Sequence, residues 1–143
     1  MAKHNLPAEL LAGKLPLDQI TVLNAIIDSI PGMLYMYDKA GHFVMANKRH
    51  AKMTGYTMKE LSRMNPLSWY DNESDIKNVK AAIRDVFTKG FGEVEVPMKI
   101  KDGSKPFMHF TGSRLVLNGK EYFVGVGLDI TRQKELERNL RQS

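Results

Sequence analysis

From Leu17 onward the apolar residues Ile20, Leu23, Ile27 and Ile30 recur at spacings of three and four, which predicts one stripe of a helix ended by Pro31-Gly32. That stripe serves either the chain's own sheet or a second copy. The period then shortens. Residues 33–38 and 42–46 read as two strands around the turn Asp38-Lys39-Ala40-Gly41. Short helices follow over 47–53, with Gly55 as a stop, and over 58–63, before an irregular turn at 65–70. Ile76, Val79, Ala82, Ile83, Val86 and Phe87 then form one face of a longer helix. Asp71 or Asn72 supplies its N-cap and Gly90 closes it. Beyond it Val94, Val96, Met98 and Ile100 alternate with Glu93, Glu95, Pro97 and Lys99, the pattern of a strand with one buried face.

The last third holds the strongest local signal. Asn118-Gly119 separates two long strand-like runs, 106–117 and 120–128, and both central residues of the tight turn they imply need positive φ. In the first run Met108, Phe110 and Gly112 share a side, with His109, Thr111 and Ser113 opposite. After Asp129 the sequence changes abruptly into a charged helix. The expected fold is therefore α+β: a five-stranded antiparallel sheet with helices on one face, flanked by N- and C-terminal helices. Residues 1–30 form a lead-in, with a short helical stretch at 8–12, and then the amphipathic helix. Residues 31–131 form the domain and 132–143 begin a linker helix.

The 143 residues suit one domain. No apolar run approaches the ~18 residues of a membrane span, and no continuous apolar segment marks a signal peptide. Cysteine is absent, which removes disulfides, thiolate nucleophiles and Cys-bound metals. A cytoplasmic location is expected. The net charge of +5 comes from Lys and Arg dispersed among acids, so nucleic-acid binding is not expected. His4, His42, His50 and His109 are scattered, without a metal-ligand spacing or a nucleophile elbow, and no catalytic or metal site is expected. Gly125-Val126-Gly127 lacks the third glycine of a dinucleotide loop. Small residues on an inward strand face leave space for something bulky opposite.

Three segments carry a resemblance. They are Ser29-Ile30-Pro31-Gly32 with the following 33–48, then Thr54-Gly55-Tyr56-Thr57-Met58-Lys59-Glu60-Leu61, and finally Gly125-Val126-Gly127-Leu128-Asp129-Ile130-Thr131. In that order they resemble a bacterial PAS domain, of the kind found in sensor histidine kinases and diguanylate cyclases, over about residues 30–132. The resemblance implies a non-enzymatic sensory module that binds a small apolar or aromatic ligand between the sheet and the 76–87 helix. Candidate ligand contacts are Tyr35, Tyr37, Met45, Met64, Trp69, Ile76, Ile83, Met98, Met108, Phe110, Phe123 and Gly127. Methionine suits such a lining because its thioether is flexible and polarizable. Haem is disfavoured because the long helix has no His, and a cysteinyl-flavin adduct because no thiol exists, so the protein should be colourless. Asp129, Thr131 and Arg132 would relay a signal to a downstream output domain of histidine kinase or diguanylate cyclase type. Homodimerisation through the flanking helices is the expected assembly. The alternative is a ligand-free module that dimerises or docks a partner.

Overall fold

The structure, a computed structural model, describes residues 16–142. The helical stretch expected at 8–12 lies outside them. The elements are α1 (Leu17–Ser29), β1 (Met33–Asp38), β2 (Phe43–Ala46), α2 (Lys48–Thr54), α3 (Met58–Leu61), α4 (Glu73–Lys89), β3 (Phe91–Pro97), β4 (Phe107–Leu117), β5 (Lys120–Asp129) and α5 (Thr131–Gln142). The five strands form one sheet in the order β2-β1-β5-β4-β3, with every neighbouring pair antiparallel. The expected fold is the one observed.

Local chemistry sets the boundaries. Asn118 and Gly119 take φ of 51° and 77°, and Leu117 pairs with Lys120 across them, so the tight hairpin forms as its sequence predicts. Asn72 caps α4 by accepting from the N–H groups of Ser74 and Asp75, and Gly90, at φ 89°, ends the helix. Thr57 and Glu60 cap α3 reciprocally.

The sheet separates two apolar layers. On the inner face Met33, Val96, Met98, Met108 and Phe110 pack with Leu61, Trp69 and Val79. On the outer face Leu34, Met36, Met45 and Tyr122 pack with Ile27 and Ile30 of the α1 stripe. The last two residues of that stripe, Ile27 and Ile30, thus pack on the chain's own sheet, while Leu17, Val22 and Ile26 of the same helix are exposed.

Met45 corrects the sequence reading. Strand alternation groups it with Phe43 on the inner face, yet it lies on the outer one. Tyr37 pairs with Phe43 but Met36 pairs with Met45, so Val44 is an extra residue in β2. Such a bulge reverses side-chain parity, carrying Met45 to the opposite face.

Asn47 joins these parts. It is fully buried, its Oδ1 accepts from the N–H groups of Leu34 and His50, and its Nδ2 donates to the carbonyls of Ile27 and Gly32. One side chain thereby ties the end of α1, the start of β1 and the first turn of α2.

Candidate functional site

Between the inner sheet face and α4 lies a cavity of about 60 Å³. Strand β1 contributes Met33, Tyr35 and Tyr37, α4 contributes Val79, Ala82, Ile83 and Val86, and the loop before α4 contributes Pro66, Trp69 and Tyr70. Gly92, Glu93 and Val94 of β3, Met98 beyond it, Phe110, Thr111 and Gly112 of β4 and Phe123 of β5 complete the wall, with His50 of α2.

Of the twelve residues expected to line a pocket, Tyr35, Tyr37, Trp69, Ile83, Met98, Phe110 and Phe123 meet here. Met45 is across the sheet. Met64 and Met108 pack in the inner core without bordering the cavity. Ile76 instead borders a shallow surface groove with Lys77, Lys80 and Arg84, because it sits where the apolar stripe of α4 gives way to its charged face. Gly127 faces inward, but its space is taken: a Cβ there would stand 2.6 Å from Cε1 of Phe110 and 3.1 Å from Cε of Met33. A Cβ at Gly125 would overlap the Tyr35 ring. The bulky groups that these two glycines admit are the protein's own aromatic rings.

The aromatic wall is continuous. Tyr37 stacks on Phe123 with centroids 5.4 Å apart, and Tyr35 meets Phe110, Phe123 and His50 nearly edge-on at 6.0–6.2 Å. The His50 ring reaches Trp69 at 5.6 Å. Burial drives every titratable ring here towards its neutral form. It pushes Tyr35 and Tyr70 well above the usual phenol range and Tyr37 up to about 12, although a hydrogen bond with Trp69 opposes the last shift. Burial also depresses His50 to about 4, against a weaker opposing contact with its own backbone.

His50 escaped the sequence reading. It is 2% exposed, lines the cavity, and its Nδ1 is buried without a hydrogen-bond partner among the described residues. The signal available was its position three residues after Asn47, in the first turn of a helix that the sheet must cover. A lone histidine in a seven-residue helix has no periodicity to announce which way it faces.

A second constellation holds the exit from the sheet. The carboxylate of Asp129 accepts from the Thr131 N–H at 2.9 Å, and the Thr131 hydroxyl accepts from the Phe107 N–H at 2.8 Å. The Ile130 N–H donates to the Phe107 carbonyl at 2.8 Å. The first residue of β4 is thus clamped to the first turn of α5. Arg132, expected to share the junction, is exposed, and among the described residues no ion pair joins it to Asp129. The cation that holds α5 is Lys134, which reaches Glu95 of β3 at 2.9 Å and lies 5.9 Å from the centroid of the Phe107 ring. Sequence spacing alone does not pair Lys134 with Glu95, because 39 positions and two strands separate them.

An antiparallel sheet in this strand order, helices over its inner face, a cavity beneath the longest of them and a helix leaving the last strand together make up the domain. Residues 21–86 match the model of the PAS domain family. Over 112 residues, 77% of this chain, the sequence is 27% identical to Sporulation kinase E of Bacillus subtilis strain 168. The match takes in 14% of that kinase, so the chain corresponds to a small part of it. Among solved structures, the PAS domain of an HTR-like protein from Haloarcula marismortui is similar at a TM-score of 0.67 and 20% identity, covering 79% of this chain and 93% of that one. A PAS domain from Colwellia psychrerythraea reaches 0.71 at 18% identity, covering 80% and 99%. Residues 21–86 thus match the PAS family, and the chain has the fold of PAS domains. Among the described residues no helix is long and apolar enough to cross a membrane.

Proposed function

We propose that this PAS domain is a cytoplasmic sensory module that binds a small ligand in the inner cavity and passes a conformational bias through Asp129-Ile130-Thr131 to an output domain. The observation that carries this reading is the shared use of β4. Phe110, Thr111 and Gly112 line the cavity, and Phe107 on the same strand holds the first turn of α5. A ligand that displaces β4 relative to β5 therefore bears directly on the exit helix. The partial likeness to a sporulation kinase supports an output of histidine kinase type, and the exposed apolar residues of α1 support a homodimer.

The ligand in this reading is small. The cavity is well below the roughly 150 Å³ that accommodates benzene. Haem remains disfavoured on size, even though His50 is now available in the wall. A cysteinyl-flavin adduct is disfavoured by the absence of cysteine.

The second reading, a ligand-free interaction module, is favoured by the same small volume and by the rings that occupy the space beside Gly125 and Gly127. A thermal-shift screen of small molecules separates the two, since a ligand selective for the folded state raises Tm. The variant that blocks the site is Ala82→Leu, which adds three carbons at the smallest helical wall position. Gly127→Leu is unsuitable because it would collide with Phe110. Ligand shifts that vanish in Ala82→Leu support the sensory reading. No shift from any compound, with the cavity closed in a crystal structure, supports the interaction module.

A further inference from the structure

Beneath α5 the outer face of the sheet carries a group of charges on the opposite side from the inner cavity. Met108 and Phe110 pack in the inner core, as do Val94 and Val96 beside them, so alternation turns His109 of β4 and Glu95 of β3 outward. These two residues are register partners. Side chains directly opposite in an antiparallel pair have Cβ atoms about 4.5–5.5 Å apart, close enough for their charges to interact.

Across from them stands α5. Thr131, Lys134 and Glu137 are half-buried while the residues between them are exposed, so this face of the helix turns towards the sheet. Lys134 reaches the Glu95 carboxylate at 2.9 Å and the Glu137 carboxylate, on its own helix, at 3.7 Å. It therefore has two acceptors, one that ties α5 to β3 and one that does not. The helix buries none of its residues, so which acceptor Lys134 takes bears on the direction in which α5 leaves the sheet.

The charge on His109 discriminates between the two. An unperturbed histidine changes charge between about pH 5 and 8. The charged groups around it are Glu95 and, two residues along β3, Glu93, with Lys134 and Glu137 from α5, while β5 sets Leu128 opposite it. A neutral imidazole leaves the Glu95 carboxylate to Lys134. An imidazolium attracts that carboxylate and repels the ammonium, which has Glu137 close by to receive it.

We propose that protonation of His109 transfers Glu95 from Lys134 to the imidazolium and frees α5 from β3, so that the exit helix responds directly to pH. This latch is independent of whether the inner cavity takes a ligand.

The sequence contains no cysteine, so spin labels can be placed on two introduced ones, Thr88→Cys at the end of α4 and Asn139→Cys on α5, both at exposed positions. Pulsed electron spin resonance on the whole chain, diluted with unlabelled chain, gives the distance distribution between them at about pH 8 and about pH 5.5, while carbon-bound ring protons report the charge of His109 over the same range. His50, depressed to about 4, stays neutral throughout. The expected result is a narrow distribution at the higher pH that broadens at the lower one as the His109 ring titrates. His109→Gln should keep the narrow distribution at both pH values. His109→Lys, a permanent cation at the same place, and Glu95→Gln, which removes the sheet-side acceptor, should each give the broad one at both. An unchanged distribution while the ring titrates, a broadening that survives in His109→Gln, or a ring still neutral at the lower pH would each overturn the latch.

Discussion

His50 and Asn47 stand three residues apart and show what burial does to polar groups with and without partners. Asn47 uses both lone pairs and both amide hydrogens inside the protein. Asn47→Ala would remove a hydrogen bond from four buried or half-buried backbone groups at once, leaving the His50 N–H its second bond to the Asn47 carbonyl, and the expected loss is about 3 kcal/mol, or roughly 10 °C in Tm. Denaturant unfolding measures this directly; a loss below about 1 kcal/mol would mean that water replaces the side chain without penalty. His50 titrates in the opposite sense from a histidine that gains a partner. Its folded value of about 4 lies below the ordinary 6.5, so the unfolded chain binds the proton more readily. Stability is therefore unaffected above about pH 6.5, falls as pH drops towards 4, and levels off below it, by an amount of order 3 kcal/mol. The tyrosines in the wall do not titrate in that window. Comparing unfolding free energies of the parent and His50→Phe between pH 4 and 7 isolates the histidine from the carboxylates common to both. Parallel curves would show that His50 is not buried in its neutral form.

At the scale of elements, the attachment of α5 separates packing from communication. The helix buries none of its residues and is held by polar contacts at its first turn and by Lys134. The Glu95–Lys134 pair is exposed enough that its effect on overall stability should be small. Its geometric effect is larger, because it fixes α5 against β3, a strand that also lines the cavity through Val94. In a fusion of the chain to a histidine kinase output domain, Glu95→Gln and Lys134→Gln should each change the response to stimulus with little change in Tm, and the double variant should do no more than either single one. Additive effects in that cycle would mean that the two residues act separately. Asp129→Ala should likewise uncouple the output, through the lost cap on Thr131. Unaltered signalling in that variant would remove the junction from the mechanism.

For the whole molecule, the main question is what covers α1. Ile27 and Ile30 at its end are used on the chain's own sheet, whereas Val22 and Ile26 are 57% and 55% exposed. Leu136 and Leu140 of α5 are exposed as well. Apolar residues at such spacing on two flanking helices suit pairing about a two-fold axis. Val22→Glu combined with Ile26→Glu should convert a dimer to a monomer in sedimentation, without disturbing Ile27 and Ile30 or the melting of the domain. A monomeric parent at all concentrations, or a double variant that sediments as the parent dimer, would refute this assembly.

What the sequence determined by itself was whatever depends on near neighbours along the chain. The Asn118-Gly119 hairpin, the start of α4 at Asp71 or Asn72 and its stop at Gly90, and the alternation through Val94, Val96 and Met98 follow from backbone preference and from period, which act over a few residues. The order of elements and the three family-like segments were legible for the same reason. Tertiary structure decided everything that turns on parity or on distant pairing. One extra residue at Val44 sent Met45 to the far face, and the rings of Tyr35 and Phe110 took the room beside Gly125 and Gly127. Lys134 found Glu95 rather than the junction finding Arg132. The unpaired nitrogen of His50 belongs here too. Whether a polar atom is satisfied depends on every group folded around it, and for His50 those groups come from strands, a loop and a helix far apart in the chain, meeting at a cavity that exists only after the sheet has closed over α4.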